Sequence, residues 1–182
     1  MLEKYEDVED KYKVLYQNMQ KIIGRPAAFE GFAEESIELA EVALIAAGVS
    51  DGSNQNYTGA EAGKALIEEY TDAIQFAITL GIDAVKCDNV EKTKPWPVLY
   101  RDLAEACLKL AKASMKMARC IRQENPTPVT EEEALHNVKQ YYQEVRDIAQ
   151  VLGLLVDKTQ MFRKYRRFES RHKEAEENKC IS

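Results

Sequence analysis

Apolar residues recur at intervals of three and four along most of the chain, which is the period of an amphipathic α-helix. In the first half this pattern predicts helices over about residues 2–23, 30–47 and 58–80, with Gly48 ending the second of them. The third helix opens with a threonine that is followed three residues later by Glu61, the spacing of a capping box. The first half is therefore predicted to be helical, with short polar breaks.

The second half shows the same periodicity after a linker over residues 88–97, in which two prolines interrupt any helix. Helices are predicted from there to about residue 123 and over about residues 130–155. The second of these opens with another capping box, in which Glu133 is the acid. The tail from residue 157 is highly charged and is predicted to be a solvated helix with a frayed end. The fold class is therefore predicted to be all-α.

The two halves also resemble each other in sequence. Ala33-Glu-Glu-Ser-Ile-Glu-Leu-Ala40 aligns with Ala104-Glu-Ala-Cys-Leu-Lys-Leu-Ala111. Further along, Glu69-Tyr-Thr-Asp-Ala-Ile-Gln75 aligns with Glu144-Val-Arg-Asp-Ile-Ala-Gln150. Two matches in the same order favour a duplicated helix-loop-helix hairpin. The chain is predicted to be a helical bundle built from two degenerate repeats.

The predicted organisation has four parts within one compact domain. Residues 1–87 hold the N-terminal helix and the first repeat, and residues 88–97 form the linker. Residues 98–156 form the degenerate second repeat, and residues 157–182 form the charged C-terminal helix or tail.

Two acidic motifs, Glu35-Ser-Ile-Glu38 and Glu69-Tyr-Thr-Asp72, each place two carboxylates on one helix face. Such a pair is usually no more than a solvated helix face. Here, however, each pair continues a largely apolar stripe, so both pairs are predicted to point into the bundle. Clustered carboxylates in that position need a cation to neutralise them. Four hard oxygen ligands predict a site for Mg²⁺, for which Mn²⁺ can substitute.

The second repeat does not keep this set of acids. In the alignment of the first motif, Glu35 corresponds to Ala106 and Glu38 corresponds to Lys109. One acidic pair is therefore lost and a base is gained, so we expect one metal site per chain.

Composition and charge narrow the function classes. The net charge of −6 disfavours binding of a nucleic acid polymer, although a local basic pocket for a phosphorylated small molecule stays compatible with it. The apolar runs are too short to span a bilayer, and the N-terminus lacks an apolar signal core, so no membrane association is expected. The four cysteines form no CxxC pair, which predicts reduced thiols and a cytoplasmic protein.

The acidic motifs resemble those of the all-α nucleoside triphosphate pyrophosphohydrolases, the MazG-like superfamily that includes the dimeric dUTPases. The family motif is ExxE on one helix and ExxD on the next, and the flanking Glu34-Glu35-x-x-Glu38-Leu39 agrees with its first helix. Asn125-Pro-Thr-Pro128 before a Glu-rich helix is similar to phage-type members with tandem repeats. The resemblance covers about residues 30–155 and implies a MazG-like helical bundle.

The resemblance also implies an activity: hydrolysis of a (d)NTP, such as dUTP or a non-standard nucleotide, to the monophosphate and pyrophosphate. On this interpretation the metal ligands are the four acids of the two motifs: Glu35, Glu38, Glu69 and Asp72. Glu34 is a candidate general base, although a surface acid explains it equally well. Lys109 is a candidate for contacting the substrate phosphates. Lys112 and Arg119 are weaker candidates for that role, since each is also explained as a surface charge.

Two alternatives stay open at this point. The chain can instead be a non-catalytic helical bundle that binds a nucleotide or a protein partner, with its acids merely solvated. The oligomeric state is also open. The internal duplication can supply a complete catalytic bundle within a monomer, whereas apolar surface on the first helix can drive formation of a homodimer.

Overall fold

The protein is described by a computed structural model, which covers most but not all of the chain. The backbone is described for residues 2–3, 10–82, 93–125 and 128–179, and the side chains for residues 16, 18–82, 93–125 and 128–170. The described part contains six helices: α1 (Asp10–Ile23), α2 (Arg25–Asp51), α3 (Gly59–Thr79), α4 (Trp96–Ile121), α5 (Glu131–Val151) and α6 (Lys158–Lys179). It also contains two very short strands: β1 (Leu2–Glu3) and β2 (Val156–Asp157). The predicted all-α class is confirmed, but the predicted helix over residues 2–23 is wrong at Leu2–Glu3, which form β1.

The boundaries of α2 differ from the predicted ones at both ends. The helix begins at Arg25, several residues before the predicted start, because Pro26 lies in its first turn, where no backbone donor is required. The helix passes through Gly48 and ends at Asp51, where Gly52 adopts a left-handed φ of 79°. The predicted stop at Gly48 is therefore wrong, since the glycine at the helix end is the one in the left-handed conformation.

The two predicted capping boxes are confirmed. The Thr58 hydroxyl accepts a hydrogen bond from the backbone N–H of Glu61 at 3.2 Å, and the Glu61 carboxylate accepts one from the backbone N–H of Thr58 at 2.8 Å. Thr130 and Glu133 make the same pair of bonds at 3.2 and 3.0 Å. These reciprocal bonds satisfy backbone donors at the start of α3 and α5 and so fix where each helix begins.

Helices α3 and α5 have equivalent ends as well as equivalent starts. Both are 21 residues long, and each follows its capping threonine directly. Gly81 and Gly153 occupy the same position after the two helices, with left-handed φ values of 65° and 68°. The residue after each glycine donates a 2.9 Å hydrogen bond back into the last turn, from Ile82 to Ala77 and from Leu154 to Ala149.

Helices α2 and α4 also share features at their ends. Pro26 and Pro97 each stand one residue after the start of their helix. The left-handed residues after the last turns, Gly52 and Gln123, correspond in the same register as the two prolines. These correspondences are those that a duplicated hairpin predicts, and the duplication itself stays a prediction.

The landmarks on α3 and α5 align these two helices in a corrected register that differs from the sequence alignment, while the duplication itself stays a prediction. Matching the capping threonines and the terminal glycines pairs Glu69 with Tyr141, whereas the sequence alignment paired Glu69 with Glu144. The shift from Tyr141 to Glu144 is nearly one helical turn, so the alignment still matched residues on the same face. In the corrected register Asp72 corresponds to Glu144.

The core lies mainly between α2 and α4, each of which also packs against the second helix of its own hairpin. Phe32 on α2 meets Tyr142 on α5 edge to face, with ring centroids 5.7 Å apart. The apolar residues buried in the bundle include Leu39, Leu66, Ile74, Leu103, Leu110, Met117 and Val138. Burial of this large apolar interface is the main stabilisation of the bundle.

Helix α6 is placed beside α1 and α3. The Tyr16 and Tyr165 rings pack edge to face at 5.8 Å, and the Tyr16 hydroxyl donates to the backbone carbonyl of Met161. Just before α6, β2 pairs with β1 in antiparallel fashion, and the Asp157 N–H donates to the Thr71 hydroxyl at 3.0 Å. These contacts hold the start of α6 against the face of α3 that carries the second acidic motif.

The outer helix faces remain charged. On α4 the exposed positions include Arg101, Glu105, Lys112 and Arg119, so the helix is amphipathic. Over the part of the chain that the structure describes, no helix has both the length and the apolar character required to cross a membrane.

Candidate metal centre

Three of the four predicted metal ligands lie together. Glu35 on α2 and Glu69 and Asp72 on α3 each place a carboxylate oxygen within 4.8 Å of the others. Asp72 is buried, whereas Glu35 and Glu69 are partly buried. The i, i+3 spacing puts both α3 acids on the face that packs against α2, which is why the hairpin brings them to Glu35. Among the described residues this is the single cluster of its kind.

Glu38 and Glu34 lie at the edge of this cluster. Glu38 is exposed and falls outside the close group of three, but it is near enough to Glu69 to help raise the pKa of that carboxyl. Glu34 is also exposed, and its charge contributes to raising the pKa of Glu35. The fourth predicted ligand and the candidate general base are therefore both on the solvent side of the site.

The cluster holds more negative charge than its surroundings neutralise. Burial raises the pKa of Glu35 to about 7, against the opposing effect of the Lys164 charge, and the charges of Glu38 and Glu69 raise it further. Burial likewise raises the pKa of Glu69 to about 6, and the neighbouring Glu38 charge adds to this effect. The Oε2 atom of Glu35 is buried and makes no hydrogen bond to a described residue. An additional cation would keep both carboxyls ionised.

The cation nearest to the acids comes from α6 and was not predicted from the sequence. The Lys164 ammonium donates to Oδ2 of Asp72. The Oδ1 atom of Asp72 accepts from the Gln160 amide at 2.9 Å and from the Gln75 amide at 3.2 Å. Gln160 also donates to the Glu68 carbonyl at 3.1 Å. Asp72 is thus held in a fixed orientation by three side-chain donors.

A signal for the inward face of α6 was present in the sequence. Met161, Tyr165 and Phe168 are spaced i, i+4 and i+7, which is the apolar stripe of an amphipathic helix. Met161 and Tyr165 are buried and Phe168 is partly buried. Lys164 lies next to this stripe, so the periodicity could have placed it at an interface. The sequence contains no signal for which acid it would meet there.

The residues present fit a divalent cation. Carboxylate oxygens are the hard ligands that Mg²⁺ prefers, and the cluster offers one from each of three acids, with Glu38 nearby. The buried Oε2 of Glu35, which lacks a hydrogen-bond partner among the described residues, is the donor atom most in need of a positive partner. The Lys164 ammonium already supplies one positive charge at Asp72, so a metal ion and Lys164 would share or compete for that carboxylate.

A small cavity of about 280 Å³ opens beside the acids. One wall carries Glu35 and Gln75, and α6 contributes the cations Lys164 and Arg167. Its remaining lining residues are apolar: Met19, Phe76 and Phe168. Carboxylates, cations and aromatic rings thus meet at one place, which is the chemistry that a metal-bound nucleotide requires.

The predicted phosphate-binding residues lie elsewhere. Lys109 forms ion pairs with Glu105 at 2.9 Å and with Glu144 at 3.3 Å. Lys109, Lys112 and Arg119 line a different cavity, between α4 and α5, that includes none of the clustered acids. The prediction that these three residues contact phosphates bound at the acidic site therefore gains no support from the geometry. Lys164 and Arg167 lie instead beside the acids, where the phosphate-binding cations were expected.

The second hairpin has an ion pair where the first has the acidic cluster. Lys109 on α4 corresponds to Glu38 on α2, and in the corrected register Glu144 on α5 corresponds to Asp72 on α3. Lys109 and Glu144 form an ion pair with each other. Ala106 is buried at the position of Glu35. A lysine thus pairs with the one acid that remains at these positions, and one metal site per chain stays a prediction.

Comparisons with known proteins found no family model, no curated protein and no solved structure that matches this chain. The resemblance to the all-α pyrophosphohydrolases therefore stays a prediction from the acidic motifs.

Proposed function

We propose that the protein is a Mg²⁺-dependent nucleoside triphosphate pyrophosphohydrolase, which converts a (d)NTP to the monophosphate and pyrophosphate. The observation that carries the proposal is the cluster of Glu35, Glu69 and Asp72, whose oxygens lie within 4.8 Å of one another. The cluster is beside a cavity that also presents Lys164 and Arg167. A triphosphate needs cations on several sides, and this combination offers them.

The metal ion would be held by Glu35, Glu69 and Asp72, with Glu38 completing the set from the solvent side. When bound, Mg²⁺, or Mn²⁺ in its place, supplies charge neutralisation for the phosphates and polarises a water molecule. Asp72 is the fixed ligand, because Gln160 and Gln75 hold its Oδ1 atom. Glu35 is the ligand whose buried oxygen has no other described partner.

The α6 cations would bind the phosphates. Lys164 can redirect its ammonium from Asp72 to a phosphate oxygen, since a lysine side chain carries three donors on a flexible stem. Arg167 can form two parallel hydrogen bonds to another phosphate oxygen pair. Phe76 and Phe168 give the cavity an apolar wall on which a base can pack.

Glu34 is the proposed proton acceptor. It is exposed next to Glu35, where a water molecule can reach both it and the substrate. In the proposed reaction the water oxygen bonds to the α-phosphorus, its proton passes to Glu34, and the bond to the bridging oxygen breaks with release of pyrophosphate. Glu34 thus acts without being one of the clustered ligands.

One observation favours a second candidate function, a non-catalytic bundle that binds a nucleotide or a protein partner. Lys164 already neutralises Asp72 through an ion pair, much as Lys109 does for Glu144 in the second hairpin. If Lys164 is a permanent structural cation, the cluster has a counter-charge and needs no metal ion.

The experiment that separates the two functions measures pyrophosphate release from a panel of canonical and modified (d)NTPs, including dUTP. Each substrate is assayed with Mg²⁺, with Mn²⁺ and with a chelator. We expect turnover that requires the divalent ion and is lost in Glu35→Gln and Glu69→Gln. Glu41→Gln, an exposed acid on the same helix as Glu35, is the matched control and should retain activity. Absence of turnover with every substrate, together with unchanged Mg²⁺ affinity in Glu35→Gln, would leave the binding function as the answer.

A further inference from the structure

A second cavity of about 470 Å³ lies between α4 and α5. Its lining is mostly basic and small: Lys109, Lys112, Ala113, Lys116, Arg119, Ala134, Asn137 and Tyr141. The volume falls within the range of about 300–1,000 Å³ that is usual for small-molecule pockets. It shares no residue with the cavity beside the acids.

The four cations form one row on α4. Their spacing of i, i+3, i+7 and i+10 places Lys109, Lys112, Lys116 and Arg119 on the same helix face. Lys109 is paired with Glu105 and Glu144. The other three form no ion pair with any described residue.

Glu133, an acid close to Lys116, is already held by other bonds. The Glu133 carboxylate lies close enough to Lys116 for that charge to help lower the pKa of Glu133. The same carboxylate is held by the capping box at Thr130, whose hydrogen bonds are the main cause of the lowered pKa. The positive charges of Lys112, Lys116 and Arg119 are neighbours on α4 and repel one another. The net charge of the whole chain is −6, so this row is a local excess of positive charge. An anionic ligand would relieve this repulsion.

Helix α5 supplies residues that would contact such a ligand on the side opposite the cations. Ala113 and Ala134 are buried small residues that leave the space between the helices open. Asn137 and Tyr141 are partly buried on the α5 side, where they offer an amide and an aromatic ring. The cavity is thus a groove between the two helices, with basic residues on its α4 side and polar and aromatic residues on its α5 side.

Two of the four cations lie at positions where α2 has acids. In the alignment of α2 with α4, Lys109 corresponds to Glu38 and Lys112 corresponds to Glu41. These two positions therefore have opposite charge in α2 and α4.

We propose that this groove is a second, metal-independent site that binds an oligophosphate, either inorganic or carried by a nucleotide. Lys112, Lys116 and Arg119 extend over about 10 Å of helix, which suits a chain of phosphates better than a single one. Lysine and arginine are the usual partners of phosphate oxygens. The proposal goes beyond the proposed hydrolysis, because the groove lies apart from the acids and requires no turnover.

The test is calorimetric titration of the full chain with sodium tripolyphosphate in a chelator, so that no metal-bound phosphate contributes. The groove variant Lys112→Gln, Lys116→Gln, Arg119→Gln is compared with a control, Lys21→Gln, Lys64→Gln, Lys139→Gln, that removes the same three charges elsewhere. We expect wild type and control to bind and the groove variant to bind more than about tenfold more weakly, since each lost charged hydrogen bond contributes measurably. Unaltered circular dichroism confirms that the variants fold, and Lys112→Gln alone serves if the triple variant does not.

The proposal would be overturned by no binding to wild type at low salt, or by an equal loss of affinity in the control variant. Loss of binding in Lys164→Gln, with the groove variant unaffected, would also overturn it by assigning the phosphate to the α6 cations. Because the titration is made without divalent ions and is repeated in Glu35→Gln, its failure is distinguishable from failure of the proposed hydrolysis.

A further arm identifies the source of the phosphates. Tighter binding of a nucleoside triphosphate than of tripolyphosphate, with the difference lost in Tyr141→Ala, supports a nucleotide site. Equal binding of the two, unaffected by Tyr141→Ala, supports an inorganic oligophosphate. Amide hydrogen exchange should show protection in α4 and α5 in either case, and protection confined to α3 and α6 would contradict both.

Discussion

Lys164 on α6 donates its ammonium to the carboxylate of Asp72 on α3, across 92 residues of sequence. The Asp72 side chain is only 3% exposed, whereas the Lys164 side chain is 35% exposed. The pair therefore connects a buried acid to a cation that can still reach solvent. Substitution of Lys164 therefore distinguishes a structural role of this lysine from a role in ligand binding.

Lys164→Met should destabilise the protein in the absence of divalent ions. Removing the cation leaves Asp72 buried with only amide donors, which costs about 1–3 kcal/mol in free energy of unfolding, since Lys164 is partly exposed. Urea unfolding in a chelator measures this loss. Added Mg²⁺ should stabilise the variant more than the wild type, because the ion would replace the missing charge. Lys139→Met, on an exposed face of α5, is the control, and equal responses to Mg²⁺ would count against a metal site at Asp72.

The stability of the metal-free protein should fall as pH rises from about 4.5 to about 7. The pKa of Glu35 is raised from 4.5 to about 7 and that of Glu69 to about 6. The folded state therefore binds more protons than the unfolded state in this window, and the stability present below the unfolded pKa is lost as pH rises through the folded pKa. The contribution of Glu35 is about 1–2 kcal/mol after solvent screening.

Unfolding measured at several pH values in a chelator tests this slope, and Glu35→Gln should flatten it. Mg²⁺ should act in the opposite direction, since it binds the ionised carboxyls and so stabilises the protein more at pH 8 than at pH 5. A slope of the same size in Glu35→Gln would show that other groups cause it.

The four predicted ligands should not contribute equally to Mg²⁺ affinity. Glu35→Gln and Glu69→Gln should each weaken binding at least about tenfold, because both belong to the close group of oxygens. Glu38→Gln should have a smaller effect, since Glu38 is exposed and outside that group. Calorimetric titration with Mg²⁺ measures the order, and Glu41→Gln should match wild type. An effect of Glu38→Gln larger than that of Glu35→Gln would contradict the observed geometry.

Gly31→Ala should disturb the wall of the acidic cavity. A Cβ at position 31 would lie 2.4 Å from two ring carbons of Phe76, so the ring must move. We expect a loss of about 1–3 kcal/mol in free energy of unfolding, as for other overpacked sites. Gly63→Ala is the matched control: this helical position has nothing within 4 Å, and alanine should stabilise it by about 0.5–1 kcal/mol. The loss should shrink in the double variant Gly31→Ala, Phe76→Leu; additive effects would argue against the contact.

Local signals in the sequence predicted most of the fold. The threonine and glutamate of each capping box sit three residues apart, so the starts of α3 and α5 could be located to the residue. The start of α2 was misplaced because Gly24-Arg25-Pro26 both ends one helix and begins the next, and proline is compatible with either role. The true C-terminal glycine of α2 was missed because only a left-handed φ distinguishes Gly52 from Gly48.

The candidate site was predicted in part. The acids were found because both members of each pair are three residues apart on one helix. Lys164 and Arg167 were not found, because the apolar stripe of α6 indicates only that one face of this helix is buried, and not that this face packs against the acids of α3. The ion pair of Lys109 was missed for a similar reason: the sequence shows its charge but not that Glu144, on the next helix, pairs with it. Cys87 and Cys180, two of the four cysteines that were predicted to be reduced, lie outside the described residues.

The left-handed residues and capping boxes at the helix ends have a consequence for how this chain can change. The groups that define where each helix starts and stops are separate from the charged positions on the faces between them. An acid on such a face can therefore be exchanged for a base without moving a helix boundary, as the comparison of Glu38 on α2 with Lys109 on α4 illustrates. The scaffold and the charge pattern are independently variable, so the second hairpin is a natural starting point for installing new ligand specificity.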